Sequence, residues 1–265
     1  TIPDGFSLDI SGSNPKLTNN GTLVLKQGGQ LVGVPEGSGT IEVETPEFED
    51  RAWYFVGAPF ANYGFDVIKF DSITDDAVVS LFDHSEAQWR VDYTDIYKDT
   101  VAAGEGFLVW PFTAAKAYEP VVFTNKGTSG TNYSLNDTNV TVTKTLHEDY
   151  HWMALANPYT FKLNIATFLD DQPENTIQGG VSYRFNGIYW TIANEGEIDV
   201  TEGFFVNFTS GGEKAANFKK TQRYAPSAKV SEAREFIRLS MADGESNIEL
   251  LFAHNEDAEQ GYDIY

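Results

Sequence analysis

The chain contains no cysteine, so neither a disulfide nor a thiolate-bound metal enters any account of it. Basic residues are scarce. Eighteen Lys and Arg stand against 39 Asp and Glu, for a net charge of −21. That balance argues against a nucleic acid or an anionic membrane as partner, because both need a basic face. No apolar run approaches the ~18 residues of a membrane-spanning helix, so membrane insertion is not expected. The G-x-S-x-G elbow of serine hydrolases is missing. Gly28-Gly29 and Gly179-Gly180 lack the Lys-Ser/Thr pair that a phosphate loop requires.

What is present suits strands. Aromatics are plentiful (19 Phe, 13 Tyr, 5 Trp), and apolar residues come in short runs broken by Gly, Asn, Asp and Ser. Residues 1–46 hold brief apolar alternations, Leu8-Asp-Ile10, Leu17 to Leu25 and Gln30-Leu31-Val32, separated by Asn-Gly and Gly-Gly turns. Turns so closely spaced read as β-helix-like rungs.

An internal repeat follows. Trp53-Tyr-Phe-Val-Gly-Ala-Pro59-Phe60 returns as Trp152-Met-Ala-Leu-Ala-Asn-Pro158-Tyr159, and Glu105-Gly-Phe-Leu-Val109 returns as Glu202-Gly-Phe-Phe-Val206. Between these marks stand Leu81 to Trp89 in one copy and Tyr183 to Trp190 in the other, and Phe123 and Phe218 open the closing strands. Four marks in one order at nearly constant spacing predict two similar β modules, over residues 47–145 and 146–225. Asn186-Gly187 between aromatic runs predicts a two-residue hairpin turn. Pro59 and Pro158 are expected to end their strands. Short helices are expected near Asp66–Phe70 and over Asn164–Leu169. Trp53 and Trp152, each opening an apolar strand, are expected to be buried.

Residues 226–265 form a polar linker and a hairpin. Phe236 to Met241 alternates, Asp243-Gly-Glu-Ser turns, and Asn247 to Phe252 alternates back. The closing Gly261-Tyr-Asp-Ile-Tyr265 reads as the start of another strand, which suggests a truncated β module. The expected fold is therefore all-β: the end of a solenoid-like segment, two tandem β-sandwich-like repeats, and the start of a further β module.

The strand ending Asn157-Pro158-Tyr159, the Asn186-Gly187 hairpin and Glu202-Gly-Phe-Phe-Val206 resemble a module of large Bacteroidota cell-surface, adhesin-like proteins. In that family the module follows β-helical regions and precedes a β-sandwich that directs export by the type IX secretion system. Ala156 stands where the family usually has Gly, and Glu105 and Glu202 where it has Gln. The resemblance implies a secreted or surface-displayed structural or adhesion role and supplies no catalytic residue. The partner it implies is a host or microbial surface glycan or protein, alongside other domains of the same full-length chain.

Three constellations remain. His147-Glu148-Asp-Tyr-His151 matches H-E-x-x-H, in which two His one helical turn apart bind zinc and the Glu activates water. The β-branched run Val140 to Thr145 on one side and Pro158 on the other argue for extended chain, in which residues four apart are separated by about 13 Å. Aligned on the tryptophans, the other copy reads Phe48-Glu-Asp-Arg-Ala-Trp53 and has neither His. A turn is expected there, and no catalysis. The carboxylates Asp75-Asp76, Asp170-Asp171, Asp243/Glu245 and Glu256-Asp257 suit Ca²⁺ as hard oxygen ligands or serve as solvated turns. No other cofactor is expected. Trp89, Trp110, Tyr189 and Trp190, of which Trp89 and Trp190 hold matching hairpin positions, serve either as cross-strand packing or as stacking platforms for a sugar. Any ligand site is expected where the copies differ, around Asp75, Asp76, Trp89, Asp170, Asp171 and Trp190. The alternative to an adhesion module is a carbohydrate-binding module of a polysaccharide-processing surface protein.

Overall fold

The computed structural model describes all residues except 13–16, 47–51, 65–68, 71–76, 91–99, 112–119, 127–131, 175, 186–189, 225–235, 243–246 and 254–265. Among the described residues the protein is all-β with almost no helix. Its contacts divide it into Thr1–Tyr224 and Ala225–Tyr265. The second unit contributes one antiparallel hairpin, described last below.

The chain opens with β1 (Ser7–Asp9), β2 (Thr22–Leu25), β3 (Gln30–Val32) and β4 (Thr40–Glu44). Pairing here is parallel: Ser7 lies opposite Gln30 in β1 and β3, and Thr22 opposite Thr40 in β2 and β4. Parallel neighbours need a long connection, and the short apolar runs alternate with turns that supply it. Leu25, Leu31, Ile41 and Val43 point inward and are buried.

The next stretch contains β5 (Tyr54–Val56), β6 (Tyr63–Gly64), β7 (Lys69–Phe70), β8 (Ala77–Asp83), β9 (Gln88–Trp89), β10 (Thr100–Val101), β11 (Phe107–Pro111) and β12 (Val121–Thr124). The following stretch contains β13 (Val140–Leu146), β14 (Trp152–Ala156), β15 (Leu163–Asn164), helix α1 (Ile165–Asp170), β16 (Ile177–Phe185), β17 (Trp190–Ala193), β18 (Glu197–Ile198), β19 (Gly203–Phe208) and β20 (Gly212–Phe218). One four-stranded sheet runs β5-β11-β8-β9 and another β14-β19-β16-β17, the same order along the chain. Each stretch also has a two-stranded ribbon, β6 with β10 and β15 with β18, and its closing strand pairs with the strand just before its four-stranded sheet, β12 with β4 and β20 with β13.

Helix α1 starts where expected, because the Asn164 side chain accepts the Thr167 N–H at 2.9 Å and so caps the first turn. Of the helix expected near Asp66–Phe70, residues 66–68 lie outside the described residues, and Lys69–Phe70 is strand β7, paired with Val121 and Val122. Strands β5 and β14 end at Val56 and Ala156, before Pro59 and Pro158.

The two four-stranded sheets meet through contacts made twice with roles exchanged. Gly57 N–H donates to the Thr201 carbonyl at 3.0 Å, and Ala156 N–H donates to the Gly104 carbonyl at 2.8 Å. Val56 bridges Glu202, and Glu105 bridges Leu155. Gly104 and Thr201 both have positive φ, +84° and +67°. That backbone is easy for glycine and strained for a β-branched threonine. The recurring glutamates have a structural task as well. Glu105 accepts the Ala102 N–H at 3.1 Å and pairs with Lys144, and Glu202 accepts the Asp199 N–H at 2.8 Å and takes the Arg184 fork at 2.5 and 2.6 Å. Desolvation pushes the Glu202 carboxyl up, opposed by the guanidinium.

Backbones approach closely at this seam. A Cβ on Gly106 would overlap the Leu155 carbonyl oxygen and the Phe55 ring, and the carbonyl belongs to a paired strand that cannot swing away. Gly106→Val is therefore expected to destabilise the fold by at least the ~1–3 kcal/mol typical of overpacking. A urea unfolding midpoint equal to that of the unaltered protein would show that the seam is looser than this.

In the second unit, β21 (Phe236–Ala242) and β22 (Asn247–Ala253) pair antiparallel, with Phe236 opposite Ala253 and Ala242 opposite Asn247.

Candidate functional site

The aromatic side chains of the two four-stranded sheets converge on one cleft. Its walls are Phe82, Trp89, Trp152, Tyr183 and Trp190, its floor is Phe205, and Ala87 and Gln88 complete it. The cavity measures about 370 Å³.

Strand geometry explains the convergence. Side chains alternate across a strand, so when Phe204 and Val206 enter the core of the second sheet, Phe205 takes the opposite face. Phe205 is 6 % exposed and meets five rings: Phe55 at 4.9 Å, Phe82 at 5.0 Å, Trp190 at 5.5 Å, Trp89 at 5.8 Å and Trp152 at 6.1 Å. Phe82 and Trp89 are cross-strand partners in β8 and β9, with rings inclined at 71°. Trp152 stands edge-on to Tyr183 at 4.8 Å and 82°. Trp190 opens the edge strand β17 opposite Phe185 and is 46 % exposed, at the lip of the cleft.

Two residues expected to bind, Trp89 and Trp190, therefore come together. Asp170 and Asp171 do not line the cleft. Asp170 ends α1, and Asp171 binds Lys219 at 2.8 Å and Gln222 at 2.9 Å, which holds its carboxyl below the usual range. Asp75 and Asp76 lie outside the described residues, as do the carboxylates of 243–246 and 256–257 and the Asn186-Gly187 turn. Among the described residues no three His, Asp or Glu side chains gather as a metal site would require.

Trp53 and Trp152 depart from expectation. Both are half-buried. Trp53 packs edge-on against Trp110 at 5.6 Å, and Trp152 is a wall of the cleft. Trp152 opens β14, and Trp53 immediately precedes β5. Sequence reasoning also missed Phe82, Tyr183 and Phe205. The available signal was the difference between Leu108 and Phe205 in otherwise matching Gly-Phe-x-Val strands.

The His147–His151 segment is a bend that enters β14, not a helix. The Nδ1 of His147 accepts the Asp149 N–H at 3.0 Å. The two ring nitrogens of His151 face carbonyl oxygens, Glu148 at 2.7 Å and Phe208 at 3.1 Å. This geometry gives a metal no pair of free imidazoles on one face.

Beside the cleft, sharing Phe82, lies a polar cavity of about 520 Å³ that holds Asp83, His84, Arg90, Glu105 and Lys144. Its formal charges balance. His84 Nε2 accepts the Ala154 N–H at 3.2 Å, which ties the β8–β9 turn to β14. Burial, and then nearby Lys144, push the His84 imidazole down to about 4, against the weaker pull of Asp83. Burial likewise lowers Lys144. Among the described residues no helix is long and apolar enough to cross a membrane. No protein-family model, curated protein or solved structure matches the chain.

Proposed function

We propose that this chain is a non-catalytic adhesion module of a larger secreted or surface-displayed bacterial protein, and that it holds its ligand in the aromatic cleft. One observation carries the reading: Trp190 stands 46 % exposed beside Trp89, Trp152 and Tyr183, over a buried Phe205. A monomer gains stability by covering such rings. Rings left open at a concave surface are where partners dock.

The Asn-Pro-Tyr and Glu-Gly-Phe-Phe-Val marks support display through their likeness to Bacteroidota surface proteins exported by the type IX system. The parallel pairing of β1 with β3 and β2 with β4 supports a β-helix-like lead-in. The shared strand order and the reciprocal hydrogen bonds support a tandem duplication related by an approximate two-fold axis. The bend at His147–His151 supports the absence of zinc hydrolysis. A glycan stacked on Trp89 and Trp190 is the runner-up, favoured by the presence of both rings in one cleft.

Beads coated with the chain and washed over bacterial and host cells test the module's role. The Trp89→Ala/Trp190→Ala protein, with an unchanged far-ultraviolet circular dichroism spectrum, is expected to be retained at least tenfold less. Equal retention would place adhesion elsewhere on the molecule.

A further inference from the structure

We propose that the cleft is an aromatic cage for a quaternary or trimethylated ammonium group, an inference that rests on the cleft being the ligand site. Three properties of the cleft select that chemistry over a sugar.

The first is polarity. Of the eight described residues that line it, six are aromatic, none carries a formal charge, and Gln88 is the one amide. A pyranose placed there would give up water at several hydroxyls with few partners in return, and each unpaired hydroxyl opposes binding. A primary ammonium such as that of lysine would lose acceptors for its three N–H groups. A trimethylammonium group has no N–H to satisfy and presents only methyl groups to the rings.

The second is orientation. A sugar stacks best on one flat platform. Here the ring planes are steeply inclined: 71° between Phe82 and Trp89, 82° between Trp152 and Tyr183, 69° between Trp89 and Phe205, and 52° between Trp190 and Phe205. Walls at such angles cannot act together as one flat platform, whereas a cation needs only to come within about 6 Å of an uncovered ring face. The third is the field. With a net charge of −21 the whole chain attracts cations and repels anions.

The test is a tryptophan-fluorescence titration with choline and with 3,3-dimethyl-1-butanol, which has the same shape without the charge. Choline is expected to change the emission saturably, with an affinity at least tenfold higher than that of the alcohol. Trp190→Ala, at the exposed lip where folding is least affected, is expected to weaken choline at least fivefold, and Trp89→Ala/Trp190→Ala at least tenfold. Equal affinity for both compounds, no response to choline, or binding unaffected by either variant would each overturn the cage. Co-sedimentation with phosphatidylcholine vesicles but not phosphatidylglycerol vesicles would assign the group to a lipid headgroup. Choline binding without co-sedimentation would assign it to a soluble or otherwise displayed source. If cell retention falls in the double variant while choline gives no response, the cleft remains the adhesion site and the cation is the wrong ligand.

Discussion

Phe205→Ala is expected to destabilise the protein by about 3–5 kcal/mol, the range for removing a buried ring that the surrounding structure cannot collapse to replace. Phe205 is 6 % exposed and touches Phe55, Phe82, Trp89, Trp152 and Trp190, rings that come from both four-stranded sheets. Its loss removes the floor of the cleft and most of the ring contacts between the two sheets, leaving Phe55 against Trp190. Whole domains are stable by only about 5–15 kcal/mol, so the effect is a large share of the total. Phe205→Leu copies the residue at the matching position, Leu108, and is expected to recover most of it. Urea unfolding followed by circular dichroism measures both. A loss below about 1 kcal/mol in Phe205→Ala would mean that the two sheets are joined by the backbone contacts alone.

The second large effect is acidic. His84 is neutral in the folded chain, with its imidazole pushed down to about 4 by burial and by Lys144. In the unfolded chain it titrates near its ordinary value of 6.5. Between those values the unfolded state binds the extra proton, so the stability His84 contributes is complete above pH 6.5. It is lost as pH falls toward 4, with no further loss from this group below that. The window corresponds to roughly 3 kcal/mol. Protonation also removes the Nε2 lone pair that accepts the Ala154 N–H. Asp9, held down to about 2 by Ser11 and Arg223, loses its contribution only at lower pH, so the windows separate. Urea midpoints at pH 7 and pH 4.5 should differ strongly in the natural protein and much less in His84→Gln. An equal fall in both would assign the acid lability to other groups.

Much of the fold was legible because local rules carry it. Asn164 announces a cap, and the helix begins after it. Asn157-Pro158 closes a strand in each reading, since its side chain also accepts the Tyr159 N–H and donates to the Phe161 carbonyl. The alternating run Val140 to Leu146 became β13, paired along its length with β20. The site was legible only in part. Alternation tells that Phe204 and Phe205 face opposite ways, but not which face a second sheet will meet. Trp152 looked like core because its strand is apolar, yet its ring is only half-buried and forms a wall of the cleft. At the H-E-x-x-H match the neighbouring β-branched residues were the guide, and the segment is the bend they predicted. Spacing could not tell that the Asp171 carboxylate accepts from Lys219 and Gln222.

The central claim, that the ligand enters the cleft between the two sheets, is most directly tested by the indole N–H resonances. The chain has five tryptophans, at 53, 89, 110, 152 and 190, each assignable by single replacement. Trp89, Trp152 and Trp190 line the cleft, whereas Trp53 and its edge-on neighbour Trp110 are not among the described residues that line it. On titration with choline, the account predicts saturable shifts for Trp89, Trp152 and Trp190 along one binding curve, with Trp53 and Trp110 unmoved. Shifts confined to Trp53 and Trp110, or no saturable shift at any of the three cleft tryptophans, would contradict it.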